Sequence, residues 1–247
     1  MSIPREANVT RADGDAWFPG RWVGGVSMVA GPLLLLAGVL LRFRFGFFFP
    51  AQLEAFGEHP RLVAAAYSAF AAGNVILCFA VAALARAIGG ARPVLARWGG
   101  ALAVLGLFAR TFHAGVDHLA FQLVRQHGVA FATRTVAESY GAYHLFRTLS
   151  PAIMLGWIVL AIAAYASKTL GPCRSVALAL TSALPLGVLK GSTVMSVVAA
   201  TGACIALVPL GIQMLRAVPR PQPGTVIASV FLLAAVTLIF YLLGEAG

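Results

Sequence analysis

An all-α fold, a polytopic bundle of seven transmembrane helices, or six should one short segment fail to cross, is what this sequence predicts. Three observations carry that expectation. Of 247 residues, 60% are hydrophobic and only 11% charged, with a mean hydropathy of +0.88, whereas a soluble domain needs roughly a quarter of its residues charged. The apolar residues are gathered into runs long enough to cross about 30 Å of hydrocarbon. The cations, 18 Lys and Arg against 8 Asp and Glu, mostly flank those runs, where they meet headgroups and set orientation. The formal net charge of +10 therefore reads as topological, and no nucleic-acid partner is expected.

The elements follow in chain order. Residues 1–21 carry Arg5, Arg11, Asp13 and Asp15 and lack the short apolar core and cleavage site of a signal peptide. They are expected as a cytoplasmic segment ahead of one transmembrane domain, 22–244. The first span runs from Trp22 to Leu41. The loop from Arg42 to Pro60 is expected to form an aromatic belt at the interface through Phe43, Phe45, Phe47, Phe48 and Phe49, with Glu54, Glu58 and His59 nearby. The second span, Leu62 to Leu84, places Tyr67, Asn74 and Cys78 on one face, as expected of an interhelical contact. The third, Trp98 to Val124, is interrupted by Arg110, His113, Asp117 and His118, the mark of a helix facing protein or a wet cavity. The fourth is Thr148 to Ser167. Ser175 to Leu189 is short and contains Pro185, so crossing, kinking and re-entry all stay open. Gly191 to Leu215 and Thr225 to Gly244 complete the set.

Arg-bearing segments 1–21, 86–97, 168–174 and 216–224 fall on one side, which the positive-inside rule makes cytoplasmic. A multi-pass protein of the cell membrane, with its N-terminus inside, is expected.

Asp117 is the one acid within an apolar segment, and an acid at that depth marks a functional site by default. Arg110, His113, Asp117 and Phe121 share a helix face, with His118 at its edge; Tyr140, Tyr143, His144 and Arg147 share another at the start of the fourth span. Antiparallel packing of these spans would bring Asp117 and His144 into the same half of the bilayer. The candidate set is Asp117, His113 and His118 for catalysis, and Arg110, Phe112, Phe121, Tyr140, Tyr143, His144, Arg147, Glu54 and Glu58 for binding substrate. A structural ion pair of Asp117 with Arg110 or Arg147 is the competing explanation.

His113 and His118 are five residues apart, about 140° around a helix, so they do not chelate one metal together. Bis-histidine haem would need His113 or His118 opposite His144. Neither metal nor cofactor is expected, and no Walker loop, HExxH, GxSxG or paired-aspartate motif is present. A carboxyl, imidazoles and cations in an aromatic surround suit proton transfer to a hydrophobic substrate, whose cation the faces of Phe112, Phe121, Tyr140 and Tyr143 would stabilise. In size, helix count and lack of metal motifs the chain resembles the small integral-membrane terpene cyclases, a likeness of architecture across its whole length. It implies metal-independent cyclisation of an isoprenoid by membrane-embedded acids, one early and one late in the chain. Glu54 or Glu58 would stand for the early acid. No acid lies between Glu138 and Glu245, so Asp117 would have to serve as the late one. A small proton-coupled transporter or channel, in which Asp117, His113 and His144 relay protons, and a non-catalytic accessory subunit are the alternatives. Partners are expected to be membrane lipid and a hydrophobic small molecule.

Overall fold

The computed structural model describes residues 17–141, 143–217 and 223–245; most of the expected cytoplasmic segment 1–21 lies outside them. Among the described residues the chain is all-α. Its helices are α1 (Gly20–Leu41), α2 (Phe49–Glu58), α3 (Pro60–Gly89), α4 (Pro93–His127), α5 (Val129–Ser139), α6 (Leu145–Ala166), α7 (Pro172–Leu180), α8 (Val194–Arg216) and α9 (Pro223–Glu245), with a 3₁₀ turn at Thr181–Ala183. Prolines open several of them, at the first turns of α2, α3, α4 and α7, where a missing N–H costs nothing.

Among the described residues five helices, α1, α3, α4, α6 and α8, are long and apolar enough to cross a membrane, which fits a multi-pass membrane protein. The two further crossings of the expected seven are not among these five. The stretch Ser175 to Leu189 is helical only in part: with the 3₁₀ turn, the run from Pro172 to Ala183 reaches about 18 Å, and residues 184–193 are not helical. Pro185 cannot extend a helix, and Gly187 sits at φ 104°. The chain divides into two compact units, the first ending at Leu215. In the second, α9 is an apolar helix of 23 residues.

The long helices of the first unit meet through small residues, as expected where lipid supplies no hydrophobic drive for association. A Cβ on Gly38 of α1 would stand 2.6 Å from the Ala66 carbonyl of α3, and one on Gly106 of α4 would stand 2.6 Å from Cα of Ile153 in α6. Gly25 of α1 lies against Leu215 and Gly211 of α8, and Gly202 of α8 lies against the Ala177 carbonyl of α7. Leu35, Leu77, Leu84, Leu107, Leu160 and Leu207 fill the core between them. A second core lies at the end of the bundle where α1 and α4 finish. There α2 and α5 pack on α3 and α4 through Leu53, Phe56, Phe121, Ala132 and Val136.

Candidate functional site

The polar stripe of α4 faces inward: Arg110, His113 and Asp117 are all buried. What it meets is the non-helical segment 184–193. Arg110 donates from Nη1 to the Pro185 carbonyl (3.0 Å) and from Nη2 to the Leu184 carbonyl (3.2 Å). Asp117 Oδ1 accepts the Leu189 backbone N–H at 2.6 Å, and Leu189 holds φ 51°, a left-handed conformation uncommon for leucine. A peptide that leaves the helix inside an apolar bundle has unpaired amides and carbonyls and no water to bind them, so side chains must do so.

The rest of the segment is tied in the same way from the other side. The Tyr67 hydroxyl on α3 donates to Gln52 Oε1 (3.0 Å) and lies 3.3 Å from the Lys190 carbonyl. The Gly191 amide donates to the Phe47 carbonyl at 2.8 Å, Arg42 Nε donates to Ser192 Oγ at 3.1 Å, and Gln52 Nε2 donates to the Gly46 carbonyl at 2.5 Å. A side chain on Gly191 would strike that Gly46 carbonyl at 2.6 Å, which explains the glycine. Segment 184–193 thus plugs one end of the bundle.

Three spaces lie along α4, the first of them against the plug. A hollow of about 30 Å³ is lined by Arg42, Tyr67, Phe70, Arg110, His113 and Asp117, among others. Between α3 and α4 a cavity of about 350 Å³ has Asp117 and His118 on its wall with Phe56, Tyr67, Phe121 and Arg125. Between α4 and α5 a groove of about 310 Å³ is lined by Phe112, Val136, Tyr140, Tyr143 and His144. The aromatic surround is ordered: Phe56 stacks on Phe121 at 4.4 Å, Tyr67 meets Phe121 edge-on at 4.9 Å, and Phe112 lies between His144 (4.8 Å) and Phe146 (4.5 Å). Burial raises the pKa of the Tyr140 phenol, which lies in the loop before α6, and a hydrogen bond with the Val188 backbone opposes the rise.

The expected residues therefore fall into separate groups. Arg110, His113 and Asp117 share the small hollow; Asp117, His118 and Phe121 share the cavity; Phe112, Tyr140, Tyr143 and His144 share the groove. Glu54 and Glu58 are exposed on α2, whose buried face is Gln52, Leu53, Ala55 and Phe56, and they line none of these spaces. Arg147 is exposed. Asp117 is hydrogen-bonded to a backbone amide rather than paired with Arg110 or Arg147.

Sequence reasoning missed Arg42, Gln52, Lys190 and Ser192. Arg42 reads as one more flanking cation, yet it is 3% exposed with its guanidinium 4.3 Å from the Phe70 ring centre. Lys190 left a signal, a lone charge between two apolar runs with Gly187 and Gly191 beside it. Among the described residues no group of three or more His, Cys, Asp or Glu side chains is arranged to hold a metal ion. Comparisons with protein-family models, curated proteins and solved structures return no match.

Proposed function

We propose that the chain is an intramembrane enzyme that performs acid–base chemistry on a hydrophobic, isoprenoid- or lipid-like substrate bound between α3 and α4. The observation that carries this reading is a buried carboxyl on the wall of an aromatic cavity of about 350 Å³, a volume within the range of small-molecule sites. One oxygen of Asp117 is held by the Leu189 amide, which leaves Oδ2 to carry a proton to an alkene or epoxide. The cation so formed lies against the faces of Phe56, Tyr67 and Phe121. The Asp117 carboxylate left behind then takes back a proton from a carbon next to the cationic centre, so the reaction is an isomerisation or cyclisation with no net consumption of acid. His118, exposed at the cavity wall, exchanges protons between Asp117 and water. In this reading α7 with segment 184–193 forms a discontinuous crossing and α9 a further one, which brings the crossings to seven and leaves the N-terminus in the cytoplasm.

The test uses membranes supplied with a prenylated substrate. Asp117→Asn keeps an oxygen for the Leu189 amide and removes the acid, so the protein folds and product formation ceases. Turnover by Asp117→Asn would remove Asp117 from the acid role.

A transporter is the second reading, favoured by the interrupted α7 and the irregular backbone that follows it, the form that ion and substrate sites take in many transporters. Electrogenic flux in proteoliposomes, with no chemical change to any lipid, would select it.

A further inference from the structure

We infer that the small hollow bounded by α1, α3, α4 and segment 184–193 is a binding site for one monovalent anion of halide size. The first argument is charge. Its walls carry three cations, Arg42, Arg110 and Lys190, against a single acid, Asp117, which leaves two positive charges unbalanced; His113, Tyr67 and Phe70, also on the wall, bring no negative charge. Arg42 is 3% and Arg110 6% exposed, so bulk water does not solvate them. Cations removed from water need a counter-charge close by. What they meet besides neutral acceptors is aromatic: the two guanidinium carbons lie 4.3 and 5.8 Å from the Phe70 centroid, and that of Arg42 also lies 4.8 Å from the Tyr67 centroid. The half-buried Lys190 holds its ammonium 5.4 Å from the Phe47 and 5.8 Å from the Phe48 ring centres.

The second argument is donors. A guanidinium has five N–H groups. Arg42 commits Nε to Ser192, and Arg110 commits one bond from each terminal nitrogen to a carbonyl. Both keep further N–H groups for an acceptor, while Asp117 has turned Oδ1 to Leu189.

The third is size. About 30 Å³ exceeds the roughly 10–15 Å³ that one water requires, the scale of a single small ion. This hollow shares Tyr67, Ala114 and Asp117 with the cavity of the proposed reaction, but its occupancy does not depend on turnover.

The test is direct. Full-length protein purified in detergent is titrated with chloride or bromide against gluconate at constant ionic strength, with thermal unfolding and retention of radiolabelled chloride as readouts. Expected are saturable retention at one chloride per chain, a rise in melting temperature with halide alone, and no competition by inorganic phosphate. Arg42→Gln weakens chloride retention at least about tenfold, the loss expected when a charged hydrogen-bond donor is removed, whereas the exposed Arg134→Gln does not. Should Arg42→Gln fail to fold, the wild-type titration still decides. Absent saturable retention, or equal stabilisation by gluconate, the inference fails; competition by phosphate at chloride-like concentration overturns the halide assignment.

Discussion

Removing the Asp117 carboxylate while leaving α4 intact isolates what that side chain does for the plug. In Asp117→Ala the Leu189 amide, now donating to Oδ1 at 2.6 Å, loses its acceptor in a place where Leu189 is fully buried and water does not replace it. An unsatisfied buried donor costs about 1–3 kcal/mol, and Leu189 also sheds the bond that holds its left-handed backbone. If the penalty falls on local opening, the open population of segment 184–193 rises by about 5- to 150-fold. Hydrogen–deuterium exchange of peptides covering residues 184–193, in detergent or nanodiscs, reads that change directly. Asp117→Asn retains an oxygen at the same position, so its exchange stays within about threefold of wild type. Unchanged exchange in Asp117→Ala, or acceleration spread evenly over α1 and α3, would refute the reasoning, because the bond would then not be what closes the segment.

Other substitutions test neighbouring links. Arg110→Lys replaces a fork that holds two successive carbonyls, Leu184 and Pro185, with a single ammonium, and lowers stability by about 1–2 kcal/mol in chemical unfolding. Gly106→Val drives a side chain into the Ile153 backbone, 2.6 Å from the position of the first added carbon; backbone cannot yield, so melting falls by several degrees. Gly115→Ala, by contrast, meets nothing within 4 Å in a helix interior and raises stability by about 0.4–1 kcal/mol. Phe56→Ala removes the ring stacked on Phe121 and costs about 3 kcal/mol, seen as earlier proteolytic cleavage in α2.

The five long helices were legible in the sequence, because in lipid a span is specified by length and apolarity alone, and charge-free runs such as Trp22 to Leu41 and Thr148 to Ser167 meet α1 and α6 within a few residues. The inward face of α4 was legible too, since Arg110, His113 and Asp117 repeat at helical spacing. The partner of that face was not. Arg110 and Asp117 bind backbone 72 to 75 residues away, and a contact between a side chain and a main-chain group leaves no pattern of residue types at the far end. The capping helices α2 and α5 were hidden for a different reason. They are 10 and 11 residues long, and α2 turns a mixed face inward, with Gln52 beside Leu53 and Phe56. That stretch therefore scores as a loop by apolarity while its buried glutamine bridges Tyr67 and Gly46.

The first demand on a polar residue inside an apolar bundle comes from the backbone, not from a substrate. Segment 184–193 breaks the helical ladder, and Arg42, Tyr67, Arg110 and Asp117 answer for it one group at a time. That debt does not exhaust them. A carboxylate tethered through one oxygen has its orientation set and its second oxygen left over, and a guanidinium bound through part of its fork keeps donors in reserve. In the proposed reaction, holding a broken segment is thus also a way of aiming reactive groups: α4 carries them and the hydrogen bonds to the plug orient them. On this view Asp117→Ala and Asp117→Asn should part company, the first losing both plug and function, the second function alone. If both variants lost the plug to the same degree, latch and acid would not be separable roles, and Asp117 would be a fastening only.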